Sequence, residues 1–437
     1  MSARNRELLN LVLVGVLGAA AFSSAWIARA NRVSAEALVD VAAIAALYLV
    51  AHVAVRVAAP RADPTLLPLA ALLTAIGLTV NYRLDPGDGR RQAVWVAIAV
   101  AAFVATLLAL RFDYRLLEQY RYLFGISAIV LLLLPSVPGL GARVNGVRLW
   151  VRVGGLQFQP GELAKICLVV FLAGYLREKR EVLAQGRAKD FGPLLAIWGA
   201  TMLVLLQTSD LGSALLYFGI FLAMLYVATG RASYAAVGGA LFVAGAAALY
   251  TALDRVQERV TIWRHPWTDT KVFCPLNGTL DYRQNCQSYQ LVKSLYSIGN
   301  GGYGGTGIGR GTFTTLDGHP LVPEINSDFV YSALAQELGL IGAAALVMVF
   351  MVLVVRGMRV ALLAQDGFSK LLAAGLTFGV ALQTFIIVGG VLRVVPLTGI
   401  TLPFVSYGGS SVLSNFVVLA LLLLVSHRAR LTAEAGR

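Results

Sequence analysis

Apolar runs of roughly 20 residues, the length a helix needs to cross about 30 Å of hydrocarbon, begin near Leu8 and recur to the C-terminus with short polar breaks. About twelve can be marked, at approximately 8–28, 37–58, 65–81, 92–110, 119–137, 160–177, 192–208, 211–229, 233–252, 329–355, 369–393 and 407–427. Runs of this length and regularity predict an all-α polytopic membrane protein, because a helix satisfies its own backbone groups where no water can. The first run exceeds the apolar stretch of a cleavable signal and lacks a clean small-residue cleavage site, so it reads as a retained helix.

The bases between runs give the orientation. Arg4 and Arg6, then Arg111, Arg115 and Arg121, then Arg177, Lys179, Arg180, Arg187 and Lys189, then Arg356, Arg359 and Lys370, and finally Arg428 and Arg430 all fall on one side of a twelve-span count. Short-loop bases concentrate in the cytoplasm, so both termini are expected there. Arg29, Arg32, Arg83, Arg90 and Arg91 fall on the other side and count against it.

Composition agrees with a bilayer setting. The 437 residues are 58% hydrophobic and 14% charged, a balance that excludes an ordinary soluble domain. Lys and Arg number 36 against 23 Asp and Glu, a net charge of +13. On a membrane protein this excess faces anionic lipid, so it implies no nucleic-acid partner. Three cysteines and four scattered histidines exclude a disulfide-rich scaffold and make a histidine-built metal centre unexpected.

The residues able to carry chemistry gather on the outer side, in the long segment from Asp254 to Ser327 and in two shorter ones, Leu140–Gln159 and Pro396–Ser406. The stretch DRVQERVTIWRHPW places Arg255, Arg259, Trp263, Arg264 and Trp267 at headgroup depth, either as interfacial anchors or as a platform for a phosphorylated lipid. Cys274 and Cys286 lie where thiols oxidise, and a disulfide closing about a dozen residues contributes roughly 3 kcal/mol in the chain-entropy model. Without a CxxC spacing it is a staple and no redox centre. Cys167, mid-span, reads as a small apolar filler. The stretch GNGGYGGTGIGRG lacks the Lys-Ser/Thr of a nucleotide-binding loop. Its glycines suit plain flexibility, close approach to a ligand or neighbouring helix, or amides offered to phosphate oxygens.

Asp328 stands where PEINSDF opens the apolar run FVYSALAQELGLIG. It is either a helix cap or an ionised carboxylate placed to act as a general base for a hydroxyl. Glu337, deeper in the same run, needs a partner or a proton. In QPGELAK, Glu162 and Lys165 are three apart and can pair on one helix face. Asp210 in QTSDLGSALL is expected to cap the following helix. VNGVRLW offers Arg148 and Trp150, and PLTGITLPFVSYGGSS offers a broken segment with Ser406, Tyr407, Gly408, Gly409, Ser410 and Ser411, tolerated at that depth only where it lines a cavity or is buried in protein. No inverted repeat is visible, which weakens a transporter reading.

Taken in order, NGVRLW, FQPGELAK, QTSDLGSALL, the glycine-rich loop with SDFVYSALAQELGLIG, and PLTGITLPFVSYGGSS resemble the SEDS family of shape, elongation, division and sporulation proteins, whose members are RodA, FtsW and SpoVE. The resemblance covers roughly residues 120–427. It divides the chain into N-terminal helices over 1–118, a core over 119–427 with an extracytoplasmic loop at 254–327, and a tail at 428–437. It implies a peptidoglycan glycosyltransferase, in an elongation role, that polymerises lipid II at the outer face of the bacterial cytoplasmic membrane with a class B penicillin-binding protein as partner. The alternatives are a division paralogue, a lipid II flippase, or a scaffold in which Asp328 is dispensable.

By this resemblance Asp328 falls on the family's catalytic Asp. Arg148, Glu162, Lys165, Asp210, Ser406, Gly408, Gly409, Ser410 and Ser411 fall on its substrate-binding motifs. Basic side chains, with room for a divalent cation such as Mg or Mn, would neutralise the pyrophosphate. Gly161, Leu149, Ile387 and Arg393 depart from the usual Ser, Arg, Asn and Gly. Two N-terminal helices exceed the usual ten, and the cysteine-bearing insertion is not a general family feature.

Overall fold

The computed structural model describes residues 2–30, 35–144, 147–153, 156–185, 192–208, 210–269, 271–274, 278–314 and 320–435. Arg32, Arg187 and Lys189 lie outside the described residues. The chain begins with α1 (Ala3–Ala30), α2 (Ala35–Ala58), α3 (Leu66–Leu84) and α4 (Pro86–Leu110), then the short α5 (Leu116–Gln119) and α6 (Arg121–Leu133). An antiparallel sheet of β1 (Gly141–Val144), β2 (Val147–Val153) and β3 (Leu156–Phe158) leads into α7 (Pro160–Glu178). After it come α8 (Arg180–Gln185), α9 (Gly192–Gln207), α10 (Leu211–Thr229) and α11 (Ala232–Ala252).

The long polar segment is structured. It holds α12 (Asp254–Arg264), a hairpin of β4 (Lys271–Cys274) and β5 (Thr279–Tyr282), and α13 (Tyr289–Gly301). A Cys274–Cys286 disulfide ties the hairpin to the turn before α13. α14 (Val330–Leu363), α15 (Gly367–Val391) and α16 (Gly409–Ala435) complete the chain. The small sheets were not expected: the strands are short, and the alternation of Val147, Leu149 and Val151 with Arg148 and Arg152 in VRLWVRV, a strand signal, lies between long apolar runs.

Among the described residues nine helices are long and apolar enough to cross a membrane: α1 to α4, α10, α11 and α14 to α16. The shorter apolar α6 and α9, together with α7, bring the bundle among the described residues to twelve. α7 carries Glu162, Lys165, Arg177 and Glu178, which is why its apolar run is interrupted. Local signals set several starts. Asp85 caps α4 by accepting from the Gly87 and Asp88 amides, Asp210 caps α10 through Ser213, and Asp366 caps α15 through Ser369. Gly230 closes α10 at φ +69°, where a Cβ would be strained.

Both termini lie at one end. Arg4 donates to the Ala62 carbonyl, Arg61 pairs with Glu434, and Arg430 meets Asp63 at 2.8 Å, so α1, the α2–α3 connection and the tail of α16 converge. The core between α2, α4 and α16 is closed by Tyr48, Phe103, Phe404 and Phe416, whose rings pack at 5.8–6.5 Å. At the opposite end lie the sheets, α12, α13 and the broken segment before α16.

Candidate functional site

That opposite end is built around residues 396–408. Gly77 of α3 approaches so closely that a Cβ would lie 2.6 Å from the Val405 carbonyl oxygen, and Asn81 donates to the same oxygen at 3.1 Å. Gly212, in the first turn of α10, leaves 2.8 Å between a hypothetical Cβ and the Thr398 carbonyl oxygen. Non-helical backbone at this depth is thus buried in protein and hydrogen-bonded.

Asp328 belongs to the turn before α14. The helix cap falls on Phe329 and no side chain caps it, so the Asp328 carboxylate is not consumed by a helix terminus. Its backbone is fixed from both sides: the Asp328 amide donates to the Glu324 carbonyl at 3.0 Å, the Ser406 hydroxyl to the Ser327 carbonyl at 2.6 Å, and the Tyr407 amide to the Asn326 carbonyl at 2.8 Å. The carboxylate lies beside Gly399, 3.5 Å from where a Cβ would stand. Burial pushes the Asp328 carboxyl up to about 7, the Glu324 carboxylate adds to the rise, and the Arg259 guanidinium opposes it.

Arg259, on α12, acts electrostatically on both Asp328 and Asp210, and donates to the Thr398 carbonyl at 3.4 Å. Burial lowers its pKa and raises that of Asp210. α12 is held in place by Trp263 and Arg393: the indole donates to the Arg393 carbonyl at 3.0 Å and the guanidinium returns to the Trp263 carbonyl at 2.9 Å. Sequence reasoning placed Arg259 among interfacial bases and missed its position beside the two acids. A single Arg on a polar helix carries no signal of which acid it will meet.

Glu162 and Lys165 pair at 2.9 Å. Lys165 also donates to Gln383 at 2.6 Å, Gln383 donates to the Thr401 carbonyl at 2.9 Å, and the Ser414 hydroxyl donates to Glu162 at 3.1 Å. These charges are therefore saturated inside the bundle and connect α7, α15 and α16 to the same broken segment.

The SYGGSS residues are likewise engaged by protein. The Gly408 amide donates to Gln92 at 3.2 Å, Gly409 lies against the Trp95 ring with no room for a Cβ, Ser410 accepts from the Gln159 amide at 2.6 Å, and the Ser411 carbonyl accepts from Asn415 at 2.7 Å. Their polar atoms shape the segment that supports Asp328.

Arg148 stands apart. It is exposed on β2, directly opposite Arg143 of β1 and four residues from the exposed Arg152. Among the described residues it makes no ion pair with an acid. The Asn145 and Gly146 of its motif lie outside the described residues.

The glycine-rich loop approaches a helix. The Thr306 and Gly307 amides donate to the Gln336 and Glu337 carbonyls at 3.0 Å, and Gly305 and Gly339 leave no room for side chains between loop and helix. α14 breaks there, with Gly339 at φ +68°. Glu337 has its partner: Arg83 lies 3.3 Å from its Oε1. Among the described residues no three His, Cys, Asp or Glu side chains converge.

The peptidoglycan glycosyltransferase RodA of Mycobacterium tuberculosis is 37% identical over 451 aligned residues, covering 98% of this chain and 91% of that one. The probable peptidoglycan glycosyltransferase FtsW of Geobacter metallireducens is 33% identical and covers 85% of this chain and 96% of that one. A solved peptidoglycan synthase complex, described as structurally coordinating polymerization and crosslinking, superposes with a TM-score of 0.67 at 27% identity, over 84% of this chain and 98% of that chain. The family model for FtsW, RodA and SpoVE matches residues 65–431, starting where α1 and α2 end, whereas the mycobacterial alignment includes most of those two helices as well. The chain belongs to the FtsW/RodA/SpoVE family of cell cycle proteins.

Proposed function

We propose that this multi-pass membrane protein is a peptidoglycan glycosyltransferase that polymerises lipid II for cell shape, with Asp328 as its base. The observation that supports the base most is the placement of the carboxylate: it caps no helix and lies beside a glycine, where burial pushes it up to about 7 against the opposing charge of Arg259. A general base works best with a pKa near the operating pH.

In this reading the 4-hydroxyl of a lipid II GlcNAc attacks C1 of the MurNAc at the lipid-linked end of the growing strand. The proton passes to an Asp328 oxygen as the C1–oxygen bond to undecaprenyl pyrophosphate breaks with inversion. Arg259 supports the carboxylate, and exposed bases of the outer end, Arg148 and Arg143 among them, supply positive charge for the departing pyrophosphate, an electrostatic contribution that needs no reorganisation. Both termini face the cytoplasm and Asp328 the outer surface. A class B penicillin-binding protein fits as partner, in keeping with a relative solved as a polymerising and crosslinking complex.

A flippase would need polar groups available through the membrane depth. Glu162, Lys165 and Glu337 are instead satisfied by protein partners. The test is reconstitution in sealed vesicles carrying lipid II in the outer leaflet. The polymerase reading expects glycan strands from that leaflet alone; transbilayer movement of labelled lipid II with no strand formed contradicts it.

A further inference from the structure

The first of the two helices that precede the family match reaches the glycine-rich loop. We infer that α1 is a buttress for Asp328, acting through Arg83 as a positioning residue; the inference rests on the reading of Asp328 as base.

The last turn of α1 meets two elements at once. Gly309 of the glycine-rich loop, at φ +84°, packs so tightly on Ala28 that no Cβ would fit, and Arg29 donates to the Arg83 carbonyl at 3.1 Å. Below this contact Phe22, Trp26 and Tyr82 pack together, with the Trp26 and Tyr82 rings stacked at 5.1 Å, which fixes α1 against α3. At its other end α1 is anchored by Glu7, which meets Arg4 at 2.5 Å and His52 of α2 at 2.7 Å, all three buried. A helix fastened at both ends can hold a loop in place.

Arg83 passes this position to the helix of the base. Its Nη2 donates to the Gly309 and Gly311 carbonyls at 2.8 and 3.1 Å, its Nε lies 3.3 Å from Glu337 Oε1, and the guanidinium stands 5.7 Å from the Phe313 ring. Glu337 accepts from the Gly311 amide at 3.2 Å. Because α14 is broken at Gly339, its first segment ends at this clamp, with carbonyls taken up by loop amides. Asp328 sits at the other end of that short segment. The clamp therefore sets the tilt of the helix that carries the base. The Arg fork, with several donors in one plane, matches two carbonyls and a carboxylate in a way a point charge cannot.

The test is steady-state lipid II polymerisation by the full-length protein with its penicillin-binding partner, reading kcat and KM separately, for Arg83→Gln, Arg83→Lys and Ala28→Val. Misplacement of a reacting group lowers turnover while leaving substrate binding intact. Arg83→Gln is expected to lower kcat about tenfold at unchanged KM, and Arg83→Lys to recover part of that loss, since it keeps the ion pair with Glu337. Ala28→Val, which crowds Gly309 without removing any charge, is expected to lower kcat about threefold. Wild-type kcat in folded Arg83→Gln, or a change confined to KM, overturns the inference. Should Arg83→Gln not fold, Ala28→Val decides alone, and wild-type kcat in it overturns the inference. Asp328→Asn run alongside separates the two levels: an inactive Asp328→Asn beside a fully active Ala28→Val removes only the buttress, whereas an active Asp328→Asn removes the base on which it rests.

Discussion

The Asp328 carboxylate and Gly399 face each other across a gap that a single methyl group would fill, with Oδ2 3.5 Å from the position of a Cβ. Gly399 has φ +74°, a conformation that costs an L-residue roughly 1–2 kcal/mol. Gly399→Ala therefore meets strain and puts a methyl beside the base. The expected outcome is a folded protein with kcat/KM reduced by one to two orders of magnitude, measured in a lipid II polymerisation assay.

Arg259 opposes the rise of the Asp328 pKa. Removing its charge with Arg259→Gln lets the pKa climb further above about 7, so a higher pH is needed to ionise the base. The rising limb of the kcat–pH profile is expected near 7 in the wild type and displaced upward in the variant. An unmoved limb in an active, folded Arg259→Gln removes Arg259 from this role.

Stability should move in the opposite sense to activity at Asp328. Its folded pKa of about 7 lies above the ordinary carboxyl value, so the folded state binds more protons than the unfolded one between those pH values. The contribution to stability is fully present at low pH and is lost as pH rises through about 7. Asp328→Asn carries no such loss. Thermal unfolding in detergent should show it at least as stable as the wild type at pH 8, with any advantage gone by pH 4.

Breaking the Glu162–Lys165 pair leaves an uncompensated buried charge, since their side chains are only 12% and 7% exposed. Lys165→Ala is expected to destabilise by about 3–5 kcal/mol. The double variant Glu162→Gln, Lys165→Met should cost less than the sum of its parts, because each single change strands the other partner. Denaturant unfolding of the four-member cycle measures the difference.

The helical architecture was legible because a bilayer imposes it: runs of fixed length and the charges between them mark twelve helices with little tertiary information. Asp328, Glu162, Lys165 and Asp210 stood out for the same reason, as charges that apolar surroundings must account for. What the sequence hid were relationships made by backbone. The glycine-rich stretch suited a ligand, a helix or plain flexibility equally well, and only the docking of Thr306 and Gly307 on Gln336 and Glu337 separates these. Arg259 was read as an interfacial base without its two acids, and Gln383 and Gly399 were not singled out, because their roles come from neighbours distant in sequence or from a positive φ, neither of which leaves a local pattern. Ser406, Gly408, Ser410 and Ser411, which match substrate-binding positions by resemblance, each make at least one hydrogen bond within the protein.

Everything proposed for the chemistry converges on one carboxylate. The most direct measurement is polymerisation of lipid II by the purified protein with its cognate penicillin-binding protein, comparing wild type with Asp328→Asn at equal folding and equal partner binding. Glycan strands from the wild type and none from Asp328→Asn are the expected result. Equal polymerisation by both would make Asp328 a structural residue and contradict its assignment as the base.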